Sequence, residues 1–197
     1  MTGPRVAGLL LAPGAGAGSD QSALVAIDEA VSRSGVAVAR MDFPYRLAGR
    51  RTPDRPEVLI ASVLSNADAL AQRLGVGTKR LAVGGRSMGG RIASMAVAEG
   101  LPAAGLVLVS YPLHPPGRPD KSRIEHLGAI RVPCIFVSGT RDAFGTPKEL
   151  EAATRVIPGE VSHVWIEGGD HGLRRRDAEV ASAVSAWLRA PARRTRS

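Results

Sequence analysis

Short, almost continuously apolar runs alternate along the chain with longer stretches in which apolar residues recur every three or four positions. Parallel strands that are covered on both faces are nearly all apolar, whereas a helix on such a sheet needs only one apolar stripe. The alternation therefore predicts an α/β fold with a mostly parallel sheet and helices on both of its faces. Six runs fit strands of this sheet: residues 5–12, 35–41, 80–84, 104–110, 132–138 and 161–166.

Helical spacing fills the gaps between these runs. Helices are expected at about residues 19–35, 54–75, 91–98 and 176–189. The second of them starts with Asp54, a possible cap, followed by Pro56 and Glu57, which suit a first helical turn. The pattern thus predicts four long helices around about six strands.

The composition suits one globular domain, which we expect over residues 1–190 of the 197-residue chain. The formal net charge is +8 and comes mostly from arginine, and residues 191–197 form a basic tail that is expected to be disordered. The other arginines are scattered, and aromatic residues make up only 4% of the chain. A nucleic-acid partner is therefore not favoured, and the oligomeric state is left open.

Cysteine content and hydropathy indicate a cytoplasmic protein. Cys134 is the single cysteine, which excludes an internal disulfide and fits a reducing compartment. Arg5 followed by the apolar run 6–12 resembles a weak signal peptide, but the run is short and has one basic residue before it, so we favour a buried first strand. No apolar run is long enough to span a bilayer, and no membrane association is expected.

The strongest chemical signal is the pattern G-x-S-x-G at Gly85–Gly89, which lies between a predicted strand and a predicted helix. A serine on such a sharp turn presents its hydroxyl at the edge of the sheet, where a base can take its proton. The close approach of strand and helix leaves no room for a Cβ, which is why glycines flank the serine. Ser87 is therefore the candidate nucleophile, and we call the sharp turn that carries it the elbow.

A serine needs a base beside it to act as a nucleophile at neutral pH. Of four histidines, His171 alone follows a predicted strand and a glycine-rich turn. His163 lies within a predicted strand, His126 on a short helical stretch, and His114 in the proline-rich segment 111–119. His171 is the preferred base.

The acid that orients the base should lie between the nucleophile and the histidine in chain order. Asp142 follows the strand 132–138 and its turn, which places it on the same sheet edge as the serine. Asp170 and Asp120 compete for this role, but Asp170 immediately precedes the histidine, and adjacent side chains usually point apart. Asp142 is the preferred acid.

The oxyanion of an acyl-transfer reaction needs two N–H donors. One is expected from Met88, directly after the nucleophile, and the other from the glycine-rich turn after the first strand, with Ala15 preferred and Gly16 second. The same glycines, spaced Gly14-x-Gly16-x-Gly18, lack the pattern of a dinucleotide or phosphate loop.

Five motifs follow one another along nearly the whole chain: Leu11–Gly16; Arg40–Tyr45 with Gly49–Arg51 and Pro53; Gly85–Arg91; Gly139–Asp142; and Gly169–Gly172. On these motifs the chain resembles the α/β-hydrolase superfamily, in particular small dienelactone-hydrolase-like enzymes and the branch with testis-expressed and chromatin-complex-subunit hydrolase-like proteins. The resemblance implies a Ser87–His171–Asp142 triad that hydrolyses esters or related acyl compounds. Pro13-Gly14 stands where larger relatives have His-Gly, and no insertion is long enough for a lid domain, which implies an open site.

We therefore expect a serine hydrolase that cleaves a small or medium carboxylic ester or thioester through an acyl-enzyme, without a metal or cofactor. The partner is a small acyl substrate, and Arg86, Tyr45, Arg46 and His114 are candidates for binding it. The alternative is a binding or scaffold protein that keeps the fold with little or no activity. The sequence does not indicate which acyl and leaving groups are used.

Overall fold

The computed structural model describes residues 6–190. Within this range one sheet contains six parallel strands in the order β2-β1-β3-β4-β5-β6. The strands are β1 (Gly8–Ala12), β2 (Ala37–Arg40), β3 (Leu81–Arg86), β4 (Gly105–Val109), β5 (Cys134–Gly139) and β6 (Val161–Ile166). The expected fold class and the six strands are confirmed.

Helices cover both faces of the sheet. They are α1 (Ser22–Ser32), α2 (Pro44–Leu47), α3 (Pro56–Leu74), α4 (Met88–Ala98), α5 (Pro147–Thr154) and α6 (Asp177–Arg189). Helices α1 and α6 pack against each other on one face, and α3 and α4 pack together on the other.

Alternate residues of each strand enter these two cores. In β1, Leu10 packs with the side chains of α3 and α4, whereas Leu9 and Leu11 pack with those of α1 and α6. All three are fully buried, which explains why the strand is a continuous apolar run and not an alternating one. This burial agrees with a core strand for the run 6–12.

Two short helices, α2 and α5, were not predicted from the sequence pattern. Helix α2 is a single turn, and α5 is eight residues long and starts at a capping box between Thr146 and Glu149. Neither is long enough to show a periodic apolar stripe. The expected cap of α3 was wrong by one residue: Arg55 is the N-cap, and Asp54 instead accepts a hydrogen bond from Arg50 at 2.7 Å.

Chain order creates a crevice at one edge of the sheet. After β1 the chain moves outward to β2 and then returns past β1 to form β3, so the connections from β1 and β3 leave in opposite directions. In open α/β sheets, ligands bind at such a switch point beyond the carboxyl ends of the strands. The fold thus brings the glycine-rich turn after β1 beside Ser87, which follows β3.

The ends of the chain are only partly described. Arg5 and the basic tail 191–197 lie outside the described residues. Among residues 6–190, no helix has both the length and the apolar character needed to cross a membrane.

Candidate active site

Ser87 lies on a strained turn between β3 and α4. Its backbone has φ 50° and ψ −118°, a conformation that residues with a side chain rarely adopt. The Ser87 N–H donates to the Val109 carbonyl at 2.8 Å, which fixes the turn on the neighbouring strand. A Cβ at Gly85 or Gly89 would lie 2.0 or 2.2 Å from the Ala12 carbonyl oxygen. Glycine is therefore required at both positions for β1 and α4 to meet.

His171 connects Ser87 to Asp142. The Ser87 Oγ lies 2.9 Å from His171 Nε2, and His171 Nδ1 lies 3.0 and 2.9 Å from the two carboxylate oxygens of Asp142. An ionised carboxylate can only accept a hydrogen bond, so Nδ1 carries the proton and Nε2 is left to accept from the serine hydroxyl. The three side chains thus have the partners that a nucleophile, a base and an orienting acid require.

The acid is buried while the base is reachable. The side chain of Asp142 is 1% exposed and that of His171 is 20% exposed. Asp142 Oδ1 also accepts the backbone N–H of Phe144 at 2.8 Å. This second bond holds the carboxylate in place without using a charged partner.

Two further contacts hold the histidine. Arg86 donates from Nη2 to the His171 carbonyl at 2.7 Å. The ring of Phe144 stacks on the imidazole with centroids 4.0 Å apart and planes 27° from parallel. The loop after β6 is thereby tied to both the elbow and the loop after β5.

The competing carboxylates have other partners. Asp170 Oδ1 accepts the Leu173 backbone N–H at 2.9 Å, so it caps the turn that follows His171. Asp120 is exposed and lies 3.4 Å from the Arg118 guanidinium. Neither contacts the imidazole of His171, and the structure brings Asp142 to it instead.

The competing histidines also lie elsewhere. His126 Nε2 lies 2.8 Å from the hydroxyl of Ser94, inside α4, and His163 Nε2 lies 3.0 Å from the hydroxyl of Thr154. Burial lowers the pKa of both imidazoles, and for His126 burial together with the charge of Arg91 lowers the pKa to about 4. These two histidines are neutral structural residues at neutral pH.

Several N–H groups of the turn after β1 are engaged by other described residues, whereas that of Ala15 is not. Gly14 N–H donates to Gln21 Oε1 at 3.1 Å, and Ala17 N–H donates to the Gly14 carbonyl at 3.1 Å. Ala15 N–H and Met88 N–H donate no hydrogen bond to another described residue. Met88 is the first residue of α4, where no carbonyl within the helix can accept its N–H.

The expectation for Gly16 as the second choice was wrong. Its N–H donates to the hydroxyl of Tyr45 at 3.1 Å and is therefore already used. The expectation for Tyr45 was also wrong, since its side chain is 0% exposed and stacks on Phe43 within the core. Tyr45 holds the turn after β1 through this hydrogen bond, and its side chain is not accessible to a substrate.

A cleft of about 490 Å³ opens over Ser87. Its lining residues come from the elbow and the first turn of α4, from the turn after β1, from the loop between β4 and β5, and from the loops that follow β5 and β6. They are Gly14, Ala15, Arg86, Ser87, Met88, Arg91, Pro112, Arg123, Phe144 and His171. Arg86 lines the cleft, and its role in binding a substrate stays a prediction. Arg46 and His114 do not line it, and His114 is buried with Nδ1 2.8 Å from the Pro115 carbonyl oxygen.

Sequence reasoning missed Phe144 and Arg123 as parts of the site. Both lie in loops, whose path over the sheet edge is not encoded by periodicity. Arg91 had a usable signal, because it lies four residues after Ser87 on the same face of α4.

The described residues hold no group of three or more His, Cys, Asp or Glu side chains that could bind a metal ion. Ser87, His171 and Asp142 form a hydrogen-bonded group beyond the carboxyl ends of the strands, next to the switch point of the sheet. The chain belongs to the alpha/beta hydrolase domain family, whose model matches residues 5–195.

Solved structures from several bacteria have the same fold. Est1E from Butyrivibrio proteoclasticus is 17% identical with a TM-score of 0.75, over 93% of this chain and 87% of that one. Dienelactone hydrolase from Anabaena variabilis is 19% identical with a TM-score of 0.73, over 93% and 85%. A putative hydrolase from Xanthomonas campestris is 20% identical with a TM-score of 0.68, over 92% and 98%. The α/β-hydrolase superfamily predicted from the motifs is thus confirmed, while the narrower branch stays a prediction.

Proposed function

We propose that this protein is a serine hydrolase that cleaves a small or medium carboxylic ester or thioester through an acyl-enzyme. The observation that carries the proposal is the continuous hydrogen-bonded chain from Ser87 Oγ through His171 to Asp142, at 2.9 Å and 2.9–3.0 Å. Such a chain makes a serine nucleophilic at neutral pH.

In the acylation step, Ser87 Oγ attacks the carbonyl carbon of the substrate while His171 Nε2 takes the hydroxyl proton. The imidazolium that forms is stabilised by the buried carboxylate of Asp142, which accepts its Nδ1–H. As the tetrahedral intermediate collapses, Nε2 returns the proton to the leaving alcohol or thiol. This step leaves the acyl group on Ser87.

The negative charge of the intermediate needs two aligned donors. Met88 N–H and Ala15 N–H are proposed for this role, because both residues line the cleft and neither N–H is engaged by another described residue. The helix dipole of α4 adds positive potential at the same place, since Met88 is its first residue.

In the deacylation step, a water molecule takes the place of the leaving group. His171 accepts its proton as it attacks the acyl carbon, and then returns the proton to Ser87 Oγ. Protein groups and water supply every proton in both steps, so we propose that no metal or cofactor takes part.

Two structural neighbours support an acyl substrate. Est1E from Butyrivibrio proteoclasticus has also been solved with ferulic acid bound, at 18% identity to this chain, and another neighbour is an esterase domain from Rhodothermus marinus. We propose a small-molecule acyl substrate for this protein as well, and a cytoplasmic location.

A fluorophosphonate probe tests the proposal, because it forms a stable adduct only with an activated serine. We expect stoichiometric labelling that is lost in Ser87→Ala. Ser94→Ala is the matched control: Ser94 also has a histidine partner, but it is fully buried, so this variant should label as the parent does.

Absence of an adduct in the folded parent would favour the alternative, a binding or scaffold protein with the hydrolase fold. Where labelling succeeds, p-nitrophenyl esters of increasing acyl length and one matched thioester would define the size and kind of the acyl group.

A further inference from the structure

Two arginines form one wall of the cleft beside Ser87. Arg91 projects from the first turn of α4, and Arg123 comes from the loop that follows the proline-rich segment. We call this pair the arginine wall. Elements far apart in sequence thus bring two cations to the place where the substrate must lie.

The arginine wall has no counter-charge among the described residues. No carboxylate oxygen of residues 6–190 lies within 4.0 Å of either guanidinium. The Arg91 guanidinium donates no hydrogen bond to a described residue, and its Nε is buried without a partner. The Arg123 guanidinium has one long bond, from Nη1 to the Pro112 carbonyl at 3.4 Å.

Placing these two cations side by side is electrostatically costly. Arg91 adds a cation to the positive end of α4, whose first turn has no acidic residue to offset it. Burial and then the charge of Arg91 lower the pKa of Arg123, so the two guanidiniums repel each other in a partly desolvated place. The nearby carboxylate of Glu125 is exposed and contacts neither of them. A bound anion would offset this cost.

Arg86 differs from the arginine wall. Its guanidinium donates to the His171 carbonyl, and the carboxylates of Asp142, Asp177 and Asp170 act on it from farther away. It therefore already has a structural task, which is to hold the histidine loop. Arg91 and Arg123 are thus the arginines of the cleft whose guanidiniums have no short hydrogen bond to a described residue.

We propose that Arg91 and Arg123 bind a carboxylate of the substrate, so that the preferred substrate is an ester with a second, free carboxylate. This inference rests on the proposed serine hydrolase and names its substrate class. Planar guanidiniums are suited to carboxylates because they donate two parallel hydrogen bonds. A cleft of about 490 Å³ accommodates a small half-ester with its carbonyl at Ser87 and its carboxylate at the arginine wall.

Matched ester pairs test the inference. Mono-p-nitrophenyl glutarate and p-nitrophenyl glutaramate differ only in a carboxylate against an amide on the acyl portion. The pair 4-acetoxybenzoate and 4-acetoxybenzamide places the same difference on the leaving alcohol. We expect kcat/KM to favour the carboxylate by roughly tenfold to a hundredfold in at least one pair, and that pair identifies the portion that carries the charge.

Arg91→Gln and Arg123→Gln should each lower this preference by roughly tenfold, since each removes one charged donor. Arg118→Gln is the matched control, because Arg118 is exposed, lies shortly before Arg123 in the chain and does not line the cleft, so both kcat/KM values should stay unchanged. Labelling of each variant with the fluorophosphonate shows that it is folded, and either glutamine variant suffices if the other does not fold.

Equal kcat/KM within both pairs, with the parent labelled by the probe, would overturn the carboxylate inference and leave the hydrolase standing. A preference that survives in both glutamine variants would also overturn it. Absence of both labelling and hydrolysis would overturn the proposed function, and the inference with it.

Discussion

At the scale of single residues, one buried carboxylate serves two donors. Asp142 accepts from the imidazole of His171 and from the backbone N–H of Phe144. Because the second bond does not depend on charge, an amide at this position can keep the loop in place while it changes the proton pattern of the histidine.

Asp142→Asn should therefore lower kcat by roughly three to four orders of magnitude with little change in thermal stability. The side-chain NH₂ of asparagine donates toward Nδ1 and favours the tautomer whose Nε2 carries the proton, which cannot accept from Ser87. Hydrolysis of a p-nitrophenyl ester and a thermal melt measure the two effects. Asp170→Asn is the control, since Asp170 only caps the following turn; a comparable loss of kcat there would reverse the assignment of the acid.

His126 gives a pH dependence to stability. Its pKa falls from 6.5 to about 4 in the folded protein, because burial and the charge of Arg91 disfavour the imidazolium. Between pH 6.5 and pH 4 the unfolded chain therefore binds a proton that the folded chain does not bind. The free energy of unfolding must decrease as the pH falls through this interval.

His126→Gln should lose less of its unfolding free energy than the parent does between pH 7 and pH 4.5, as measured by urea unfolding. Part of the loss should remain, because burial lowers the pKa of His163 in the same direction. Carboxylates titrate in both proteins, so the comparison isolates His126. Parallel pH profiles for the two proteins would contradict this explanation.

At the scale of elements, the site depends on how closely α4 approaches the end of β1. The Cα of Gly89 faces the carbonyl oxygens of Ala12 and Pro13, and an added Cβ would lie 2.2 and 2.5 Å from them. These are backbone atoms, which cannot turn away as a side chain can. The turn that is proposed to bind the oxyanion is thus positioned by direct backbone packing.

Gly89→Ala should lower the free energy of unfolding by about 3 kcal/mol and slow the labelling of Ser87, because α4 must move away from β1. Gly77→Ala is the matched control: its φ is −83°, and the nearest atom to a new Cβ is 3.8 Å away in the flexible side chain of Lys79. That change should stay within about 0.5 kcal/mol of the parent. Urea unfolding gives both values, and an equal effect of the two substitutions would show that contact with β1 is not the cause.

The apolar pattern was sufficient to predict those strands and helices that are long or fully buried. β6 (Val161–Ile166) has the predicted bounds, and α6 (Asp177–Arg189) starts one residue later than predicted. The pattern failed for α2 and α5, which are too short to complete a stripe. The sequence also placed the N-cap of α3 on Asp54, because aspartate is common at that position. The preference does not reveal that Arg50 donates to this carboxylate instead.

At the scale of the whole molecule, the sheet separates two cores, and its strands β4 and β5 are completely buried. Cys134, in β5, is 0% exposed, and burial raises the pKa of its thiol to about 12. A thiol in this state reacts only when the fold opens. The single cysteine thus reports on global unfolding.

Native protein should react with a disulfide-exchange reagent at least about a thousandfold more slowly than protein in concentrated guanidinium chloride, where one thiol per chain should react. Cys134→Ala provides the blank for both conditions. Rapid, stoichiometric reaction of the native protein would show that β5 is accessible without global unfolding.

By itself the sequence determined the alternation of strands and helices, the elbow at Ser87, and the order in which an acid and a histidine follow later strands. These features depend on local spacing and on the common edge at which parallel strands end. Only the tertiary structure decided which groups line the cleft and which N–H groups are engaged. Gly16 N–H donates to the buried Tyr45, His114 lies outside the cleft, and Arg91 and Arg123 line it together beside Ser87. Such contacts join residues distant in the chain and depend on the path of each loop over the sheet, for which local spacing carries no signal.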